Sequence, residues 1–295
     1  MSSSGISRKP PSSDRKSLRK EVGFGCPVQG CGSPYLSWHH FDPPWKERKH
    51  HKVDGMIALC LQHHREADVG TYTKEQLHEM KVSPYLRSVD HWPMGRFNWR
   101  RDKLLVVAGS NFCLGTETIL KVGGQRLIWL TKDDQGYEQM NLDIRRADGS
   151  KILEMEDNDW SIHKNFNDLE CPPSGNSLAL RVHDEDISLD LIFKQVRKAN
   201  LKSYIMLLSK RKAMVETSLA NTGIDLDQLF KASLEYAYQR ICDEIDGDQV
   251  TLCKVKARLK WPLDLQLTEK RAQLLGLTLA GNFAINPGNT CFSVG

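Results

Sequence analysis

The sequence lacks any run of about eighteen apolar residues, and it lacks an N-terminal segment in which positive charge precedes an apolar stretch. The first absence argues against a membrane-spanning helix, and the second argues against a secretory signal. Apolar residues still make up 40% of the 295 positions, with a mean hydropathy of −0.47, which is enough for packed cores. We therefore expect a soluble protein without membrane association, cytoplasmic by default.

Cysteine is also sparse, and most of it shows no pairing pattern. Five of the eight cysteines have no close partner in sequence and are expected to be buried or free thiols: Cys113, Cys171, Cys242, Cys253 and Cys291. This usage fits a reducing compartment better than a disulfide framework.

Histidine, by contrast, is concentrated, with eight of the ten falling between His39 and His91. Four of them form the adjacent pairs His39-His40 and His63-His64. Zinc prefers four thiolate or imidazole ligands, supplied as two short-range pairs. The spacing predicts a structural zinc site at Cys26, Cys31, Cys60 and His63. One histidine of each adjacent pair is then left over, and a structural zinc site does not need it.

The order C-x4-C, HH, LC-x2-HH over roughly residues 24–82 resembles the HNH (ββα-metal) endonuclease family, in its zinc-knuckle subgroup. The resemblance implies that His39 binds a catalytic divalent cation, Mg²⁺ or Mn²⁺, and that His40 is the general base. It also implies that His64 is the second ligand of that cation. One position departs from the pattern, because Asp54 or Gly55 stands where the family has an asparagine that braces the loop carrying the base.

Two further sets of residues belong to this prediction. Asp68 follows His64 by one helical turn, and either adds a carboxylate to the cation or orients His64. A basic run around His50-His51 is expected to be a solvated loop that contacts DNA phosphates through Lys46, Arg48, Lys49 and Lys52.

Charge is distributed unevenly along the chain. Residues 1–20 carry six Lys or Arg against one Asp, with many serines, and are expected to form a disordered basic arm. Residues 133–190 carry fifteen acidic against five basic residues, a net charge of −10 that repels phosphate. We expect this acidic stretch to bind a protein partner or an activating ligand rather than DNA.

These segments predict an α+β, multidomain chain. An HNH module occupies residues 21–95. Strand-like runs at 118–122 and 126–130, separated by Gly123-Gly124, predict a hairpin within a β-rich, sandwich-like domain over 102–197. A mixed, mainly helical C-terminal region covers 198–295.

The function expected from the sequence is metal-dependent hydrolysis of DNA phosphodiester bonds, in a setting such as bacterial DNA processing or anti-phage defence. The alternative is a zinc-stabilised nucleic-acid-binding or adaptor protein that is catalytically weak or inactive. The spare histidines His40 and His64 favour the nuclease, whereas the missing asparagine favours the alternative.

Overall fold

The structure is a computed structural model of the whole chain. It describes residues 6–89, 92–97, 103–108, 111–163, 166–183, 187–208, 235–236, 238–259, 265–267, 272–274, 277–279, 283–285 and 293–294. Much of the predicted C-terminal region, 198–295, lies outside these residues.

The helices of the described residues lie mainly in the first ninety positions. They are α1 (Ser12–Glu21), a 3-10 turn (Val53–Gly55), α2 (Leu61–Asp68), α3 (Lys74–Val82), α4 (Tyr85–Ser88) and α5 (Lys198–Leu208), with further helical residues at 235–236 and 238–244.

Strands account for most of the remainder. They are β1 (Leu36–His40), β2 (Met56–Cys60), β3 (Met94–Arg96), β4 (Leu104–Ala108), β5 (Asn111–Leu114), β6 (Thr118–Val122), β7 (Gln125–Lys132), β8 (Glu138–Arg145), β9 (Lys151–Glu156), β10 (Asp159–Ile162), β11 (Asp168–Glu170), β12 (Ser177–Val182), β13 (Ile187–Arg197), β14 (Gln249–Leu259), β15 (Leu265–Leu267), β16 (Ala272–Leu274), β17 (Leu277–Leu279), β18 (Phe283–Ile285) and β19 (Ser293–Val294). The α+β class expected from the sequence is confirmed.

The chain divides into two compact units whose boundaries differ from the predicted domains. The first unit comprises residues 1–98, 152–154 and 159–184, and the second comprises 99–151, 155–158 and 185–295. Part of the predicted β-rich domain therefore belongs to the same unit as the N-terminal region, because chain order does not dictate which strands pack together. In the described residues, no helix is both long enough and apolar enough to cross a membrane.

In the first unit, the expectation of a disordered arm over residues 1–20 is wrong from Ser12 onward. Residues Ser12–Glu21 form α1, and Leu18 within it and Val22 directly after it are fully buried. Arg19 donates from Nε and Nη2 to the two carboxylate oxygens of Asp168, at 3.0 and 2.8 Å. The composition of residues 1–20 gives no sign of this helix, because the segment has few apolar residues. The carboxylate that pairs with Arg19 lies about 150 positions away in sequence.

One hydrophobic cluster of this unit surrounds the first hairpin. Its buried residues come from α1, the loop at Cys26, both strands of the first hairpin and helices α2 and α3: Leu18, Val22, Cys26, Leu36, Phe41, Met56, Ile57, Ala58, Leu59, Cys60, Ala67 and Leu77. All five residues of β2 are buried, so this strand is the centre of the core. The candidate functional residues are placed by β2 and by the two elements that flank it, β1 and α2.

The second unit is built on a long antiparallel pair, β13 with β14, in register from Ser188↔Arg258 to Arg197↔Gln249. Strand β14 also pairs in parallel with β4, from Thr251↔Leu104 to Val255↔Ala108. The predicted boundary at 197/198 is therefore not a domain boundary, since strands from both sides of it share one sheet. The hairpin predicted around Gly123-Gly124 is confirmed as β6 and β7. Cys113 is buried, as expected, but it is disulfide-bonded rather than a thiol.

Candidate metal centre

A short β-hairpin followed directly by a helix positions the metal-ligating residues. Strands β1 and β2 pair antiparallel with Leu36 opposite Cys60 and His40 opposite Met56. Helix α2 begins at Leu61, immediately after β2 ends at Cys60. The Cys60 side chain and the first turn of α2 therefore lie at one end of the hairpin, and β1 lies alongside them.

Four side chains converge at this end. The Nδ1 atom of His63 lies 3.3 Å from the Cys26 Sγ and 3.2 Å from the Cys60 Sγ, and the Sγ atoms of Cys31 and Cys60 are 3.8 Å apart. The four ligand atoms all lie within 4.8 Å of one another. Tetrahedral zinc with Zn–S bonds of about 2.3 Å sets neighbouring sulfurs about 3.8 Å apart. The set is therefore compatible with zinc.

The loop carrying Cys26 and Cys31 is folded back on itself to bring both sulfurs to one point. The Cys26 N–H donates to Ser33 O at 2.8 Å, and the Gly32 N–H donates to Cys26 O at 3.2 Å. Gly32 has φ of +63°, and a Cβ there would lie 2.7 Å from Leu86 Cδ2. A residue with a side chain would be strained at this position and would collide with α4.

Burial makes this site unfavourable for thiolates that have no cation. Desolvation raises the pKa of the Cys26 thiol far above its ordinary value, and it raises that of Cys31 in the same direction. A bound cation reverses this preference, because the thiolate is the ligating form. The other ring nitrogen of His63, Nε2, lies 3.9 Å from Glu66 Oε2. That carboxylate oxygen accepts a hydrogen bond from the Tyr72 hydroxyl at 2.5 Å. The carboxylate lies beyond hydrogen-bond distance of the imidazole and can orient it only through its charge.

A second cluster lies on the next face of the same hairpin and helix. It consists of His39, His64 and Asp68, whose ligand atoms lie within 4.8 Å of one another. Asp68 Oδ1 is 3.1 Å from His39 Nδ1 and 3.8 Å from His64 Nε2. Burial lowers the pKa of both histidines, so their ring nitrogens are available as neutral ligands. Two imidazole nitrogens and one exposed carboxylate leave open positions around a divalent cation.

His40 lies in a different environment from its neighbour His39. Strand β1 ends at His40, and adjacent strand residues point to opposite faces. The His40 ring lies 4.7 Å from Trp45, 5.3 Å from His50 and 5.9 Å from His51, measured between centroids. Both of its ring nitrogens are buried. Burial lowers the pKa of His40 to about 4, so its neutral form dominates at neutral pH.

The basic loop between the strands is only partly as expected. The side chains of Lys46, Arg48, Lys49 and Lys52 are exposed. His50, expected to be solvated, is instead 6% exposed. Its Nε2–H donates to Pro43 O at 2.9 Å and its Nδ1 accepts from the Lys52 N–H at 3.1 Å. This histidine therefore links two parts of the loop, because its ring bonds the backbone at Pro43 and at Lys52.

Gly55 braces the chain directly after His40. Its carbonyl accepts from the N–H groups of Phe41 and Asp42, at 3.0 and 3.2 Å. A Cβ at Gly55 would lie 1.9 Å from the Asp42 carbonyl oxygen, so a residue with a side chain does not fit here. Of the two positions that the sequence offered for the missing asparagine, Gly55 contacts this loop through its backbone, whereas the Asp54 side chain is exposed.

Sequence reasoning missed three groups of this site. Glu66 stands three residues after His63, a helical spacing that offers a signal for an orienting carboxylate. Ser37 stands two residues before His39, on the same face of a strand, which is also a readable spacing. The Gly55 carbonyl gives no such signal, because any residue supplies a carbonyl.

Comparisons of the chain with protein-family models, curated proteins and solved structures find no match.

The four-ligand cluster predicts one tightly held zinc per chain. Cys26→Ser should remove the metal and lower the temperature at which the first unit unfolds, because metal binding contributes to its free energy of folding. Cys242→Ser, at a half-buried cysteine outside the cluster, is the matched control and should keep both. Elemental analysis and thermal unfolding measure the two effects. A zinc-free protein with an unchanged thermal transition would contradict the assignment.

The Gly55 brace predicts that Gly55→Ala lowers the free energy of unfolding by about 1–3 kcal/mol, because the added methyl forces the Asp42 backbone to move. Gly55→Asn, which supplies the amide that the family resemblance would place here, should fare no better. Asp54→Ala is the control and should cost less than about 0.5 kcal/mol. Chemical denaturation measures all three. Loss of stability in Asp54→Ala together with a neutral Gly55→Ala would assign the brace to the Asp54 side chain instead.

Proposed function

We propose that this protein is a metal-dependent endonuclease of the HNH type, which hydrolyses DNA phosphodiester bonds. The observation that carries the proposal is the second cluster, His39 with His64 and Asp68, beside a separate Cys3His set on one strand–strand–helix unit. A structural zinc site alone accounts for the cysteines and His63. It gives no reason for two further imidazoles and a carboxylate to converge on the neighbouring face.

The residues of the second cluster fit a hard divalent cation, Mg²⁺ or Mn²⁺. Asp68 contributes an oxygen and the two imidazoles contribute nitrogens, while the exposure of Asp68 leaves the site open to substrate. A cation bound there would neutralise charge on the phosphate and on the leaving oxygen. In this role Asp68 is a ligand, and its contact with both histidines also holds their rings in place.

His40 acts as the general base in this proposal. Its pKa of about 4 keeps it unprotonated at neutral pH, so a ring nitrogen is available to accept a proton. A ring nitrogen of His40 accepts a proton from the attacking water while the water oxygen bonds to phosphorus. The bond between phosphorus and the leaving oxygen then breaks. The contact with Trp45 fixes the plane of the imidazole.

The surface that contacts DNA is the loop of Lys46, Arg48, Lys49 and Lys52, which directly follows the base in sequence. Counterion release upon DNA binding requires clustered Lys and Arg. These four side chains are exposed, whereas the stretch 133–190 has a net charge of −10 that opposes phosphate. In this proposal the acidic stretch binds a protein partner or an activating ligand, in a setting such as DNA processing or anti-phage defence.

The alternative is a zinc-stabilised adaptor or nucleic-acid-binding protein without catalysis. The absence of the family's asparagine favours it. The Gly55 carbonyl weakens that argument, because it holds the same loop by backbone hydrogen bonds. The two functions differ in one measurable respect, which is whether DNA is cut.

Purified protein should cut supercoiled plasmid only when Mg²⁺ or Mn²⁺ is added. His40→Ala should lower the rate about 10²–10⁴-fold, the usual effect of losing a general base, without loss of fold. His183→Ala changes an exposed histidine outside the site and should cut at the original rate. Gel analysis of the plasmid, with circular dichroism of each variant, is the measurement. Undiminished cleavage by His40→Ala would exclude it as the base, and no cleavage by the original protein would favour the adaptor.

Replacing Lys46, Arg48 and Lys49 together by alanine should weaken DNA binding uniformly across sequences. The slope of log affinity against log salt concentration should also become less negative, by roughly 0.9 for each DNA phosphate that the variant no longer neutralises. A control triple variant changes three exposed basic residues outside the loop, Lys132, Lys194 and Arg197, and preserves the net charge of the loop variant. Fluorescence anisotropy over a salt series measures both. An equal loss in the control would show that net charge, and not this loop, governs binding.

A further inference from the structure

Ser37 makes two polar contacts with one hydroxyl group. Its Oγ lies 2.9 Å from the carbonyl oxygen of Leu59, the residue directly opposite it in the β1–β2 hairpin. The same Oγ lies 2.7 Å from Nδ1 of His64. Ser37 therefore connects the hairpin backbone to one imidazole of the second cluster.

The number of available protons decides the direction of both hydrogen bonds. A carbonyl oxygen only accepts, so the single Ser37 hydroxyl proton is donated to Leu59 O. Ser37 Oγ then offers lone pairs to His64, and a 2.7 Å contact between them requires a proton on Nδ1. A neutral imidazole has one ring proton, so Nε2 keeps its lone pair.

The free nitrogen faces the second cluster. His64 Nε2 lies 3.8 Å from Asp68 Oδ1, and the His64 ring centroid lies 5.1 Å from that of His39. This nitrogen is buried and makes no hydrogen bond in the part of the chain that the structure describes. A buried lone pair without a donor is unfavourable unless a ligand occupies it.

We infer that Ser37 is a positioning residue that holds His64 in the tautomer protonated on Nδ1, which leaves Nε2 free to bind the divalent cation beside His39 and Asp68. The inference rests on the proposed function, since the cation is the one that the nuclease uses. A hydrogen bond at the ring nitrogen that does not bind the metal fixes the orientation and the tautomer of a metal-binding histidine. Loss of such a bond costs about 10–100-fold in metal affinity. If Ser37 served only to build the strand, its loss would change neither the tautomer of His64 nor the metal affinity.

The tautomer is tested first, without the cation, in ¹⁵N-histidine NMR of the zinc-bound protein. His64→Ala identifies the signals of His64 by their disappearance. The original protein should show His64 protonated on Nδ1, and Ser37→Ala should lose this preference. Ser37→Thr keeps the hydroxyl and should restore it. A His64 ring protonated on Nε2 in the original protein, or an unchanged tautomer in Ser37→Ala, overturns the inference.

Metal affinity is tested second, with Mn²⁺ as the probe, by calorimetry on the same zinc-bound proteins. Ser37→Ala should bind Mn²⁺ about 10-fold or more weakly, with unchanged zinc content. Ser37→Thr should bind close to the original affinity. Ser88→Ala is the matched control, because it also removes a hydroxyl that donates to a backbone carbonyl, Tyr85 O at 2.7 Å, but lies outside both metal clusters. It should leave Mn²⁺ binding unchanged.

The outcomes separate this inference from the proposed function. Mn²⁺ binding that is lost in His64→Ala but kept in Ser37→Ala overturns the role of Ser37 and leaves the nuclease proposal standing. No Mn²⁺ binding by the original protein overturns both. If Ser37→Ala binds Mn²⁺ more weakly and Ser37→Thr does so as well, the loss of affinity comes from altered packing. This result also overturns the inference.

Discussion

The convergence of Cys26, Cys31, Cys60 and His63 is the constraint on which the rest of this unit depends. Cys60 ends β2 and His63 lies in the first turn of α2, so one set of ligands fixes the angle between the strand and the helix. Burial disfavours the thiolates unless a cation is present. Because α2 also carries His64 and Asp68, the geometry of the second cluster follows from the first.

Strand β1 divides the remaining chemistry between two sides. Alternation along the strand places His39 near His64 and Asp68, and directs His40 toward Trp45 and His51. A proposed cation ligand and a proposed base can therefore be adjacent in sequence without competing for one position. The Gly55 carbonyl holds the chain where β1 ends, which maintains this division.

Local spacing predicted the four-ligand cluster, because each pair of its ligands comes from one short segment and the ligand chemistry restricts the choice. His39 and His64 were expected to lie together only because of the family resemblance. The confirmed α+β class and the β6–β7 hairpin likewise come from local patterns. Helix α1 was not predictable in this way, since its stability depends on the burial of Leu18 and on the pairing of Arg19 with a distant carboxylate. The buried state of His50 and the pairing of β13 with β14 also depend on tertiary contacts. Composition and periodicity do not encode these contacts.

The central claim is that one strand–strand–helix unit holds two metals of different chemistry. The most direct measurement is anomalous diffraction from crystals of the zinc-bound protein soaked in Mn²⁺, recorded at the zinc and manganese absorption edges. The account predicts one zinc peak among Cys26, Cys31, Cys60 and His63, and one manganese peak among His39, His64 and Asp68. Manganese found elsewhere, or no manganese peak in a crystal whose second cluster is open to solvent, would contradict it.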